Sequence, residues 1–148
     1  MNKKHLEIVA VLDYGSQYTQ LIARRIRENN IYSEIFPFDI DINRIKNKNI
    51  KAIILSGGPS SVYDDDAPKF NPELLSLEIP ILGICYGLQL LCIAFKGKIG
   101  QSSSREYGHS LISKKNKSLL FEGIKKNNQV WMSHGDHIQK APKNFLIT

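Results

Sequence analysis

No run of apolar residues in this 148-residue chain is long enough to cross a membrane as a helix. The basic start Met1-Asn2-Lys3-Lys4-His5 precedes a short apolar stretch, Ile8–Leu12, that Asp13 closes. That pattern reads as a first strand rather than a signal peptide. Cysteine is scarce: the chain has two, Cys85 and Cys92, without framework spacing. Seven residues apart on one helix they stand about 10 Å apart along the axis and cannot pair. Such usage points to a reducing, cytoplasmic compartment. The formal charge of +6 is not concentrated in a basic tract interleaved with aromatic residues. Lys46, Lys48, Lys51, Lys114, Lys115, Lys117, Lys125 and Lys126 are scattered among Asn and Ile, as on a solvated surface. Nucleic acid is therefore not an expected partner. A basic face that steers anionic substrates or docks an acidic partner stays open.

Phosphate and metal signatures are missing too. No Gly-Lys-Ser/Thr follows Gly57-Gly58, and Gly97-Lys98-Ile99-Gly100 has the wrong order for a phosphate loop. Tyr14-Gly15-Ser16-Gln17 lacks the glycines of a dinucleotide fingerprint. Asp64-Asp65-Asp66 reads as a solvated acidic loop without regular ligand spacing. Ser133-His134-Gly135-Asp136-His137 has His and Asp but no nearby cysteine to complete a zinc set. Neither a metal nor a cofactor is expected here. Repeats, low-complexity segments and linkers are absent as well, so one domain over 1–148 is the simplest organisation.

What is present is a 42% hydrophobic chain with alternating strand and helix patterns. Ile8-Val9-Ala10-Val11-Leu12 suits a parallel strand buried on both faces. A helix follows, with Tyr18, Leu21, Ile22 and Ile26 on one face and Arg24, Arg27 and Glu28 outside. Ser16 is its predicted N-cap and Asn29-Asn30 its stop. Tyr32–Phe36 is a second strand, and Ile42 and Ile45 mark a short helix. Ala52–Ser56 is a third strand, closed by Gly57-Gly58-Pro59. A polar loop, Val62–Phe70, and a short helix from Pro72 to Leu77 lead to a fourth strand, Ile79–Ile84. Leu88, Leu91, Cys92 and Phe95 continue at helical spacing. This alternation predicts an α/β fold, a doubly wound, mostly parallel sheet flanked by helices. Farther on, Lys98–Gln101, His109–Ser113 and Gln129–Met132 read as shorter strands, with Trp131 in the core. The last strand leads into Ser133-His134-Gly135-Asp136, and Phe145–Thr148 reads as the start of another.

Gly83-Ile84-Cys85-Tyr86-Gly87 stands where the fourth strand meets its helix. Gly-x-Cys-x-Gly at such a junction is the thiol form of a nucleophile elbow. The glycines permit a sharp turn and close approach. The helix would aim free N–H groups and its positive dipole end at the sulfur, which favours thiolate. A small buried core cysteine at a strand end is the alternative reading. Asp13-Tyr14-Gly15, Ser56-Gly57-Gly58 and Cys85 all fall at carboxyl ends of strands, where doubly wound sheets bind ligands. That convergence favours the nucleophile. Ser56-Gly57-Gly58-Pro59-Ser60-Ser61 could present N–H groups as an oxyanion hole, or be an ordinary turn. A cysteine nucleophile needs a base, usually histidine. None of His5, His109, His134 and His137 is followed by a Glu that could orient it. The residues alone leave the base unassigned.

Gly83-Ile84-Cys85-Tyr86-Gly87-Leu88-Gln89 resembles the nucleophile motif of the class I glutamine amidotransferases. Asp13-Tyr14-Gly15-Ser16-Gln17-Tyr18, Ser56-Gly57-Gly58-Pro59 and Trp131-Met132-Ser133-His134-Gly135-Asp136 stand in matching order. Tyr86, Leu88 and the Ser-His-Gly-Asp segment favour the branch whose ammonia converts XMP to GMP in purine nucleotide biosynthesis. The resemblance implies a flavodoxin-like fold and glutamine as substrate. Cys85 would attack the side-chain amide, and Gly58 and Tyr86 would hold the oxyanion on their backbone N–H groups. Gln89, Ser133, Gly135 and Asp136 would line the glutamine site, Gly57 would shape the turn, and Ser60 would touch substrate. The partner would be a synthetase domain or subunit that takes XMP and ATP; ATP and Mg2+ would belong there. A homodimer of the full-length enzyme is compatible with the resemblance. The family's base and orienting acid come from a downstream His-Pro-Glu, which this sequence does not contain. The expectation is an amidotransferase domain truncated at its C-terminus, without its last strands and without the synthetase domain. Alternatives are a non-catalytic module that binds glutamine or docks on a synthetase, and a subunit of a two-chain synthase.

Overall fold

The computed structural model describes residues 6–148, apart from the side chains of residues 101–107 and of Ser133 and His134. The chain divides into two compact units, Met1–Ala94 and Phe95–Thr148.

The first unit is built on four parallel strands, β1 (Ile8–Asp13), β2 (Tyr32–Pro37), β3 (Ile50–Leu55) and β4 (Ile81–Gly83), in the order β2-β1-β3-β4. Three helices accompany them: α1 (Thr19–Glu28), α2 (Ile42–Lys46) and α3 (Tyr86–Ala94). A 3-10 helix, Pro72–Leu77, stands where the sequence predicts a short helix. The doubly wound, mostly parallel sheet flanked by helices is therefore present. β1 is paired on both sides, and Ala10, Val11 and Leu12 are wholly buried, as its unbroken apolar run requires. Leu12, Tyr14, Phe36, Ile45, Ile53, Leu55, Leu74 and Tyr86 belong to one core cluster. The chain leaves β1 for β2 on one flank and returns to place β3 on the other. The crossovers from β1 to β2 and from β3 to β4 lead to opposite flanks of the sheet, which places between β1 and β3 the topological switch at which such sheets hold ligands.

Several local expectations are corrected. Ser16 does not cap α1. The cap position falls on Tyr18, and the Ser16 hydroxyl accepts the Tyr18 N–H at 3.0 Å in a local turn. The buried face of α1 is Thr19 and Ala23, whereas Tyr18 and Leu21 are exposed. Directional bonds draw that face inward. The Ser33 hydroxyl donates to the Ala23 carbonyl at 2.8 Å, Arg27 Nη2 to the Ser33 carbonyl at 3.0 Å, and Thr19 Oγ1 to Asp13 Oδ1 at 2.8 Å. Small side chains permit that approach; Leu21 does not. β4 has three residues rather than six, because Pro80 has no N–H to extend the ladder, although its carbonyl still accepts from Ile53. In α3 the buried residues include Gln89, Leu90, Leu91 and Cys92, while Leu88 faces out.

The second unit is an antiparallel ribbon of β5 (Lys98–Ser113) and β6 (Asn127–Lys140). It replaces the three short strands of the sequence reading. Polar residues between Gln101 and His109 read as a break, but the backbone pairing resumes beyond an irregularity between Gln101 and Glu106. Ser133-His134-Gly135-Asp136 consequently lies inside β6, not beyond a strand end. Trp131 is 68% exposed rather than core; its ring meets His109, directly across the ribbon, edge-on at 4.7 Å. Residues 145–148 are not a strand. Asn144 turns the chain with φ 72°, and the Phe145 ring packs on Phe95 at 5.2 Å. No helix among the described residues is long and apolar enough to cross a membrane.

Tyr14, just past β1, is 2% exposed and packs against Phe38 and Tyr86. Its hydroxyl has no hydrogen-bond partner among the described residues. Burial first, then the neighbouring Tyr86, push its phenol up from 10.0 to about 12. The unfolded chain then ionises before the folded one, so stability present below pH 10 is lost as pH rises through about 12. An unsatisfied buried hydroxyl costs about 1–3 kcal/mol, so Tyr14→Phe should leave stability at pH 7 unchanged or higher. It should also flatten the alkaline loss. Urea unfolding of both chains across that pH range checks both outcomes; an undiminished alkaline loss would refute the assignment to Tyr14.

Candidate active site

Cys85 is the single residue between β4 and α3 apart from Ile84, and it stands directly before the helix. It is exposed, and its φ of 49° lies in the left-handed region. Such a conformation costs a non-glycine residue roughly 1–2 kcal/mol, so the surroundings must impose it. They do so through glycine on both sides. A Cβ on Gly87 would stand 2.3 Å from the Leu55 carbonyl oxygen, and one on Gly83 would stand 2.6 Å from Gly87 backbone atoms. The first turn of α3 is thus pressed against the end of β3. The Gly87 N–H reaches the carbonyls of Ile84 at 3.0 Å and Ser56 at 3.1 Å. The Ile84 N–H donates to the Leu55 carbonyl at 3.0 Å, and the Gln89 N–H to the Cys85 carbonyl at 3.1 Å. With strand and helix both fixed, one residue must reverse the chain direction, and its side chain is turned outward.

The other two strand-end loops meet this turn. A Cβ on Gly57 would lie 3.4 Å from Cys85 Cβ and 3.6 Å from Ser16 Oγ. One on Gly58 would lie 2.5 Å from the Tyr14 carbonyl oxygen and 3.5 Å from Tyr86 Cδ1. One on Gly15 would lie 3.3 Å from Pro59 Cδ. The three loops are therefore in mutual contact, as their shared strand ends suggest. Ser56, wholly buried, ties two of them: its Oγ accepts the Tyr14 N–H at 3.0 Å and donates to the Gly57 carbonyl at 2.9 Å. Asp13 Oδ1 accepts the Gly15 N–H at 2.9 Å and so shapes the first loop.

Gly57, Gly58, Cys85 and Tyr86 are brought together in this way. Tyr86 opens α3, where helix N–H groups have no acceptor within the helix. Gln89 is buried one turn along α3. Ser60 is half-buried in the loop after β3. Gly135 and Asp136 stand half-buried on β6 in the second unit, with Asp136 opposite Gln101. Ser133 is on the same strand, and its side chain lies outside the described residues. Asp64, Asp65 and Asp66 are exposed, and among the described residues no three His, Cys, Asp or Glu side chains group as metal ligands. Sequence reasoning read Ser16 as a helix cap and gave no role to the side chains of Ser56 and Tyr86. The partner of Tyr86 lies 18 residues away and that of Ser56 42, and Ser16 meets Gly57 from a comparably remote stretch, so no local spacing announces them.

The chain has clear relatives among known proteins. Residues 10–148 match the family described as glutamine amidotransferase class-I. The chain is 50% identical over 141 residues to the GMP synthase [glutamine-hydrolyzing] of Clostridium kluyveri, covering 95% of this chain and 28% of that protein. It is 52% identical over 145 residues to the same-named protein of Brachyspira hyodysenteriae, covering 98% and 28%. The chain thus spans little more than a quarter of the length of these curated relatives. Among solved structures, a Thermoplasma acidophilum protein provisionally assigned as one of the subunits of a GMP synthase superposes with a TM-score of 0.75 at 29% identity, covering 95% of this chain and 70% of that one. A glutamine amidotransferase from Thermotoga maritima shares the fold, with a TM-score of 0.66 at 20% identity and coverage of 93% and 64%.

Three substitutions test the elbow. Cys85→Gly should be more stable than Cys85→Ala by about 1 kcal/mol, because glycine accepts the left-handed backbone. Gly87→Ala should destabilise the first unit by about 1–3 kcal/mol or prevent its folding, since backbone stands where the methyl group would go. Chemical unfolding of the three variants reads both; equal stability of the two Cys85 variants would argue against the strained turn.

Proposed function

This chain belongs to the class I glutamine amidotransferase family, and on that premise we propose that it is the glutamine-hydrolysing part of a GMP-forming synthase. The observation that carries the proposal is Cys85, exposed and held in a left-handed turn at a helix N-terminus, with Gly57 against it. In this reading the Cys85 sulfur attacks the side-chain amide carbon of glutamine. The carbonyl oxygen becomes an oxyanion that accepts from the N–H groups of Gly58 and Tyr86. The C–N bond breaks, ammonia leaves with the thiol proton, and a γ-glutamyl thioester remains. Water then releases glutamate and restores the thiol. Gly57 leaves room beside the sulfur, while Ser60 and Gln89 contact glutamine. Ammonia passes to a synthetase domain or subunit that consumes XMP and ATP. The GMP synthase names of relatives near 50% identity support that destination.

No His-Pro-Glu, the segment that would supply the base and its orienting acid, occurs in the 148 residues. The first unit contains one histidine, His5, which lies outside the described residues. The purified 148-residue chain should therefore show little steady ammonia release. Release that disappears in Cys85→Ala would overturn this expectation and require another base. The same observation favours, as a second reading, a module that binds glutamine without turnover; heat on titrating millimolar glutamine would be common to both.

The thiols differ in a way that tests the site directly. Cys92 is buried, and burial pushes its thiol up. A chloroketone analogue of glutamine should alkylate Cys85 in preference to Cys92, with peptide mass spectrometry as the readout. Protection of Cys85 by free glutamine would tie the preference to the site. Equal labelling without protection would remove the glutamine site from this chain.

A further inference from the structure

We propose that the Tyr86 side chain is a positioning residue for this reaction, a clamp that sets the spacing between the Cys85 sulfur and the Gly58 N–H; the inference rests on the glutaminase reading above. That reading uses only the backbone N–H of Tyr86. Yet the side chain is 2% exposed, and its hydroxyl donates to the Pro68 carbonyl at 2.7 Å. Pro68 stands near the far end of the loop that starts at Gly57. The same ring lies 3.5 Å from the place of a Gly58 Cβ, and its centroid is 5.9 Å from that of Tyr14. One side chain, rooted beside the nucleophile, therefore touches the loop after β1 and both ends of the loop after β3.

Hydrogen bonds within the loop after β3 fold it, and Ser56 anchors its start. The Ser61 N–H donates to Asp64 Oδ2 at 2.8 Å, and Lys69 Nζ and the Ala67 N–H donate to the Asp64 carbonyl at 2.9 and 3.2 Å. These bonds close the loop on itself. Ala67, Val62 and Phe70 pack on the core. Apolar burial holds the segment down but has no direction. The Tyr86 hydrogen bond has direction, and it starts one residue from the sulfur. Oxyanion donors act only within a few tenths of an ångström of their working distance, so a clamp between donor loop and nucleophile controls the rate of attack on a carbonyl.

The test compares two reagents on the unmodified 148-residue chain and on Tyr86→Phe, which keeps the ring and removes the hydroxyl. In the chloroketone analogue of glutamine the ketone oxygen stands where the amide oxygen would, and sulfur displaces chloride. Iodoacetamide reports thiol reactivity without seating a glutamine backbone. Tyr86→Phe should slow chloroketone modification of Cys85 by about tenfold, with the iodoacetamide rate changed by less than about twofold. Equal slowing of both reagents, or of neither, overturns the inference alone. If the unmodified chain shows no preference for the chloroketone over iodoacetamide that glutamine competes away, the glutaminase reading falls, and this inference with it. Hydrogen exchange guards against a folding defect. Amides of the Ser61–Phe70 segment should exchange faster in Tyr86→Phe while those of α1 do not; faster exchange across the whole first unit would make the phenol a stability element and overturn its positioning role.

Discussion

The first turn of α3 lies so close to the end of β3 that residue 87 can carry only hydrogen in place of a side chain. The rest of the site depends on that contact. It brings the Gly87 N–H to the Ser56 carbonyl and so fixes the helix relative to the third strand. It leaves Cys85 to make the turn from β4 into α3. A left-handed backbone at that residue is the geometric consequence, and an outward thiol follows from it. The strain is about 1–2 kcal/mol, small beside the burial of the apolar cluster beneath, which is why the fold can sustain it.

Around this turn the site is assembled by polar bonds between loops over a rigid apolar floor. β1 supplies the floor with wholly buried Ala10, Val11 and Leu12. Ser56 joins the loop after β3 to the loop after β1, and Asp13 shapes the latter. Tyr86 joins the elbow to the far end of the loop after β3. Cys85 follows β4 and Gly58 follows β3, so their spacing is set by neighbours remote in sequence. Family membership rests on the match over residues 10–148, and the elbow geometry gives that match a physical basis.

Much of the first unit was legible in the chain. Continuous apolar runs at Ile8–Leu12 and around Ile53, short and rich in β-branched residues, marked strands of a covered sheet. Gly-x-Cys-x-Gly at a strand-to-helix junction located the elbow. Amphipathic faces were less legible. On α1, hydropathy pointed to Leu21, whereas hydrogen bonds from Ser33 and Arg27 seat the small Ala23. In α3, apolar on several sides, periodicity could not separate the exposed Leu88 from the buried Leu90. In the second unit, polar residues in a long ribbon looked like breaks, because a strand not covered on both faces needs no apolar run.

Local sequence carries what local sterics and periodicity control: strands, helices, the need for glycine beside Cys85, and the placing of three loops at strand ends. Tertiary structure decided how those loops touch. The left-handed turn at Cys85, the closeness of Gly57 to its Cβ, and the bonds made by Ser56 and Tyr86 depend on partners brought near only when β3 and β4 pair and α3 packs on them. Such contacts join residues far apart in the chain, so no window of neighbouring residues contains both halves of any one of them.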